Sequence, residues 1–327
     1  MKIDTSDEII AFLRDPVFRA SALKTDTVTG FLRNCDSASD YDAFNAMCEN
    51  LFLFAGHPLR ARFLSLIAPF VFEGEEQISL YLPENRRLVW KRIFCDEAES
   101  ASLQCDFAIK KKPLLLNNEE KKIFNIESAI DISADDIFSL LERIIAKIKD
   151  QGAEFLSIDL TKISYARPDD FHATKAYDAL KNRAGGEDII KLWLLCRVLM
   201  NLNLKLILKT DSLKKVEELS ALIFRLRLCP KIIVCADIFG NLELDELHSF
   251  ILLNKEKSIS VSLYASREMQ FNSTASVAEK LSDIFSFLPL ICLESVDISA
   301  DIVSLALKKS LTEYEMGLAL NYLYRAK

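Results

Sequence analysis

Ala153-Glu-Phe-Leu-Ser-Ile-Asp159 and Leu204-Lys-Leu-Ile-Leu-Lys209 are short apolar runs, each ending on a charged side chain. Between them lie a polar loop, Ser164-Tyr-Ala-Arg-Pro-Asp-Asp-Phe-His172, and a long amphipathic helical pattern. Strand, long crossover, strand is the sequence form of a parallel βαβ unit. In parallel α/β folds ligands gather at the carboxyl ends of strands, so Asp159 and Lys209 are the first site candidates.

The alternation continues toward the C-terminus. Strands are expected at 154–159, 204–209, 231–235, 258–263 and 288–293. Helices are expected at 188–201, 211–226, 242–253 and 274–287, with a terminal helical pair across 299–326. Several of the strands are apolar on both faces, as a covered parallel sheet requires. Toward the N-terminus, Ser133 is expected to cap a helix with Asp135 and Asp136 in its first turn, where the helix dipole favours carboxylates. Its buried face reads Ile137, Leu140, Leu141, Ile144, Ile145 and Ile148. Residues 103–109 and 113–116 read as two weaker strands. The first hundred residues read as helices, starting near Thr5 or Ser6, at Asp40, and at Pro58 and Pro83 in first helical turns. These strands total about seven, where a TIM barrel has eight. The expected fold is α/β: an incomplete or distorted TIM (β/α)8-like barrel over 101–327, with a helical N-terminal region over 1–100 packed on it.

Half of the 327 residues are hydrophobic and 27% are charged, so a large core is expected. The net charge of −7 and the lack of a basic run longer than Lys110-Lys111-Lys112 argue against a nucleic-acid surface. The apolar stretch 192–208 is broken by Arg197 and Lys205, against a membrane span. Met1-Lys-Ile-Asp-Thr-Ser-Asp-Glu8 lacks the apolar core of a secretory leader. The eight cysteines form no CxxC, so reduced thiols and a cytoplasmic location are expected. The three histidines, His57, His172 and His248, form no HxH or HxxxH pair. Gly185-Gly186 reads as a helix break, since no GxGxxG or GxxxxGK surrounds it, and no GxSxG elbow occurs.

Several segments, in order, resemble the uronate (glucuronate) isomerase family of amidohydrolase-type barrels. They are Phe12-Leu-Arg-Asp-Pro-Val-Phe-Arg-Ala-Ser-Ala-Leu23, Asp36-Ser-Ala-Ser-Asp-Tyr-Asp-Ala-Phe44, Ala55-Gly-His-Pro-Leu59, Pro83-Glu-Asn-Arg-Arg-Leu-Val-Trp90 and Tyr165-Ala-Arg-Pro-Asp-Asp-Phe-His172. The resemblance implies a barrel acting in carbohydrate metabolism, with aldose–ketose isomerisation of a hexuronate at a divalent metal. The departures are in the site. The family's HxH strand has no counterpart in 1–6. Its His-Ile-Gly is matched by Lys209-Thr210-Asp211, and the Arg that follows by Lys214. Its tryptophan pair falls near Tyr264-Ala265, and its Asp-Ser-Arg aligns with Glu294-Ser295-Val296.

The sequence therefore points to a pseudoenzyme-like member with no cofactor and no metal ligands. Asp159, Lys209 and Glu294 are its mouth residues, each expected at or just beyond a strand's carboxyl end. Arg167, His172 and Lys214 are candidate substrate contacts. Lys209 is expected either to pair with Glu294 or Asp159 in place of the ion, or to point to solvent. The partners implied are a sugar acid, a second copy of the chain or an active isomerase paralogue, with neither nucleic acid nor membrane. Two other readings stand beside this one: an active isomerase with a rebuilt site, and a different metal-free activity at the same mouth.

Overall fold

The computed structural model describes residues 5–15, 39–71, 75–94, 123–161, 163, 169–228, 230–254, 258–265 and 274–324. The weak strands expected at 103–109 and 113–116 lie outside them. The chain forms two compact units: Met1–Pro113 with Leu244–Glu256 and Ala265–Lys327, and Leu114–Glu243 with Lys257–Tyr264. Six strands occur among the described residues.

The second unit holds five of them: β1 Ile123–Asn125, β2 Phe155–Asp159, β3 Lys205–Lys209, β4 Ile232–Asp237 and β5 Ile259–Tyr264. They pair in chain order, and every pairing is parallel. The helices of this unit are α5 Ile137–Asp150, α6 Asp170–Lys181, α7 Glu187–Asn201 and α8 Leu213–Arg225. Right-handed crossovers between neighbouring strands place such helices on one side of a sheet.

Side chains alternate along each strand, so the register sorts them into two faces. One face carries Leu156, Ile158, Leu206, Leu208, Ile232 and Val234, all buried. The other carries Phe155, Ile207, Ile233 and Cys235, which form a core cluster of strand residues with Ile123 and Tyr264 packed against it. Leu206 and Leu208 thus lie on one face of β3 and Ile207 on the other.

Local chemistry sets the helix limits. Asp136 caps α5, its carboxylate accepting from Ser139 N at 2.7 Å. The cap thus falls three residues beyond Ser133, whose hydroxyl is turned to Asp131 instead. Ile137, Leu140, Ile144 and Ile148 are buried, whereas Leu141 and Ile145 are half-buried. The crossover after β2 is a hairpin of two helices broken at Gly185-Gly186. Gly186 has φ +100°, and a Cβ there would lie 2.6 Å from the Ala176 carbonyl oxygen, so only glycine lets α6 and α7 approach this closely.

The first unit contains α1 Thr5–Leu13, α2 Asp40–Glu49, α3 Pro58–Ile67, α4 Glu75–Phe94, α9 Leu244–Leu253, α10 Thr274–Phe287, β6 Leu293–Asp297, α11 Ala300–Leu307 and α12 Glu313–Tyr324. Ser39 and Asp42 form a reciprocal capping box on α2. The N-terminal core of this unit is aromatic: Phe44 packs at a tilt against Phe63 at 5.7 Å and against Trp90 at 5.3 Å between ring centres. Pro83 lies inside α4 rather than in a first turn. It therefore offers no N–H to the Ser79 carbonyl one turn back. The last strand begins later than expected: Leu290–Cys292 form a 3-10 turn, and β6 runs to Asp297.

Candidate functional site at the carboxyl edge of the sheet

The strand ends of the second unit bring together residues far apart in sequence. Asp159, Lys209, Cys235 and Ser262 are successive register partners, so they form one row on one face of the sheet. Asp237 and Tyr264 pair one layer further toward the carboxyl edge on that same face. The row stands above the Phe155–Ile207–Ile233 cluster, which excludes water from beneath it.

The two carboxylates and the loop beside them are held by local structure. The Asp159 carboxylate accepts from Thr161 N at 2.9 Å and Thr161 Oγ1 at 2.6 Å, folding the loop after β2 back on the strand end. The Asp159 N–H donates to Glu127 Oε1 at 2.6 Å, so the turn after β1 adds a second carboxylate. The Leu160 N–H donates to the Lys209 carbonyl at 2.8 Å and extends the ladder past the strand ends. Lys215 Nζ donates to the Thr161 carbonyl at 2.7 Å and ties α8 to the same loop. The Asp237 carboxylate accepts from Phe239 N at 3.1 Å.

Burial and the nearby Asp237, Cys235 and Asp159 raise the Tyr264 pKa, so its phenol keeps its proton and can donate. Burial pushes the Cys235 thiol up to about 12 against the opposing pull of Lys209, so it is an inert thiol at neutral pH. Lys209 is exposed and makes no ion pair among the described residues. The expected substitution of its ammonium for a metal ion, paired with Asp159, is not formed: the carboxylate is already turned to Thr161.

No family model, curated protein or solved structure matches this chain significantly.

The other sequence candidates divide. Glu294 is buried, but it is the second residue of β6 and not at its carboxyl end, which is Asp297. The apolar run through the 3-10 turn reads like strand, which shifted the expected strand upstream. Lys214 is exposed and lies 3.9 Å from Glu218 on its own helix. Lys215, one position on, is the residue that reaches the strand-end loop. His172 is exposed, its Nδ1 held 2.7 Å from Asp169, the cap of α6. Arg167 lies outside the described residues. Glu127, Lys215 and Asp237 carry no local sequence signal: β4 runs to Asp237, two residues past the expected 231–235 strand, and β1 is only three residues long.

A histidine pair appears that sequence spacing hides. His57 and His248 are far apart in the chain, yet their rings stand 5.9 Å apart in the first unit. His57 caps α3, its Nδ1 accepting from Leu59 N at 3.2 Å, which places its proton on Nε2. Among the described residues no group of three or more His, Cys, Asp or Glu side chains is placed to hold a metal. Burial, with His248 beside it, lowers the His57 pKa from 6.5 to about 4. The unfolded chain therefore binds more protons than the folded one between these values. Stability is expected to fall as pH drops from about 6.5 to about 4, and His57→Asn, which keeps a capping oxygen, should flatten that slope. Urea denaturation across this range measures it; equal slopes in both proteins would remove the assignment.

Proposed function

We propose that this chain is a non-catalytic, uronate isomerase-like protein that binds a sugar acid at the carboxyl edge of β2–β5, on an incomplete TIM-like barrel framework in the cytoplasm. One observation carries the reading: the row Asp159–Lys209–Cys235, with Asp237 and Tyr264 one layer beyond, on one face of a sheet whose strands pair in chain order. Lys209 offers an exposed ammonium at the middle of this edge, suited to a carboxylate. Asp159 and Asp237 flank it and can accept from sugar hydroxyls, while the protonated Tyr264 phenol can donate.

Isomerisation needs a base at C2 and a polarised oxygen. The metal-site positions of the resembled family carry Lys209-Thr210-Asp211 and Glu294-Ser295-Val296 here, which supports binding without turnover.

Titration calorimetry with D-glucuronate tests the proposal. Binding should be saturable, and Lys209→Met should weaken it about tenfold or more. The variant should lose less than about 1 kcal/mol of stability, because the side chain is exposed. No heat from the parent protein, or equal affinity in the variant, would overturn the site. Conversion of D-glucuronate to its ketose with added divalent metal would overturn the non-catalytic part and establish the rebuilt-site reading.

A further inference from the structure

Asp159 is aimed by a relay of hydrogen bonds that starts on α8. Thr161 supplies two donors to one carboxylate oxygen, Oδ1: its N–H at 2.9 Å and its hydroxyl at 2.6 Å. The other oxygen, Oδ2, has no hydrogen-bond partner among the described residues. Thr161 is itself exposed, but it sits between Leu160 and Ile163, which are buried and joined by a turn hydrogen bond of 3.2 Å. Its carbonyl accepts from Lys215 Nζ at 2.7 Å. A lysine on the carbonyl and a carboxylate on the N–H fix the peptide planes on either side of Thr161.

Lys215 is placed to hold this geometry. Only 22% of its side chain reaches solvent, and its ammonium also meets Asp211 Oδ1 at 3.2 Å, one turn back. It stands in the first turn of α8, whose start is closed onto the end of β3. The Thr210 hydroxyl accepts from Ser212 N at 3.2 Å and donates to the Ser212 carbonyl at 3.1 Å, and Thr210 directly follows Lys209. The helix start that holds Lys215 is therefore anchored at the strand end that carries Lys209. The Asp159 carboxylate needs such support. Glu127, on the Asp159 N–H, brings a like charge to the same residue, and without the Thr161 donors the two carboxylates would turn apart.

We propose, on the reading that a sugar acid binds at this edge, that Lys215 acts through Thr161 as a positioning residue, presenting Asp159 Oδ2 as the acceptor for one ligand hydroxyl. Lys215 touches no ligand itself. Lys209 takes the ligand carboxylate, and Asp159 reads the polyol, because an ionised carboxylate accepts hydrogen bonds and offers none. A binding group is precise when its own orientation is locked by the residues behind it, and here those residues are Thr161 and Lys215.

D-glucuronate, titrated calorimetrically against the full chain and its variants, is the probe. Lys215→Met should weaken binding about fivefold or more, whereas Lys215→Arg, which can still donate to the Thr161 carbonyl, should keep most of the affinity. Thr161→Val should weaken it in the same way, and Thr161→Ser, which keeps the hydroxyl, should match the parent. A double-mutant cycle separates positioning from general loosening. In an Asp159→Ala background, Lys215→Met should change the affinity by less than about twofold, because no carboxylate is left to aim. Losses that multiply in the double variant would overturn the positioning role. Unchanged affinity in Lys215→Met and Thr161→Val, with Lys209→Met still weakening binding, would overturn this inference and leave the proposed function standing. No binding by the parent chain would overturn both. If Lys215→Met does not fold, the contrast between Thr161→Val and Thr161→Ser decides the matter.

Discussion

Arg60→Met is expected to cost about 3–5 kcal/mol of folding stability, read from urea denaturation at neutral pH. The Arg60 guanidinium makes a two-pronged contact with Glu315, at 2.7 and 3.1 Å, and also donates to the Leu51 carbonyl at 3.1 Å. Only 10% of the arginine side chain and 4% of the glutamate side chain reach solvent. Removing the cation leaves a buried carboxylate whose remaining donors are the Thr312 N–H and hydroxyl. The cost is that of stranding a charge and not the intrinsic strength of the pair. Arg60→Met combined with Glu315→Leu should therefore recover most of the loss. A single-variant cost below about 1 kcal/mol would show that water already reaches the pair.

Trp193→Ala is expected to cost about 3–5 kcal/mol, the range for truncating a large buried aromatic side chain. Trp193 is fully buried in α7. Phe138 of α5 meets its ring edge-to-face at 5.5 Å, and the Arg197 guanidinium lies 5.6 Å from it. Its Nε1–H donates to the Asp170 carboxylate at 2.8 Å, and Arg197 donates to the same oxygen. The two donors hold the Asp170 pKa below the ordinary carboxylate range. Trp193→Phe keeps most of the apolar contact and loses the N–H, so it should cost less than half as much. Thermal denaturation of the two variants separates packing from the hydrogen bond. Equal losses would mean that the hydrogen bond to Asp170 of α6, and not the packing of the ring, carries the contribution of Trp193.

The alternation of strand and helix was readable because the β2, β3 and β5 runs are short and apolar and the segments between them are long enough and patterned for helices. Their ends were less readable. Asp237 extends β4 beyond the last strongly apolar residue, so nothing in the pattern distinguishes it from loop. Leu290–Cys292 is as apolar as a strand but turns as a 3-10 helix, and this displaced Glu294 from the expected strand end. Lys214 and Lys215 are adjacent and chemically alike. The fold alone chooses between them, because a step of one residue turns the side chain about 100° around the helix. The His57–His248 contact was invisible for a different reason: it joins segments about 190 positions apart, a distance local spacing rules do not cover. Pro83 was read by its tolerance for first turns, whereas α4 extends upstream of it.

The two units are assembled from different parts of the chain, and this sets an order of events. The second is nearly continuous, and its strands pair with sequence neighbours, so its contacts close short loops and form early. The first joins 1–113 to residues beyond 243, and Arg60 meets Glu315 across 255 positions. That closure carries the larger entropy cost and cannot occur on a ribosome until Glu315 has emerged. During synthesis the aromatic N-terminal segment must therefore wait without its C-terminal helices, and this is the period when a chaperone would meet the nascent protein.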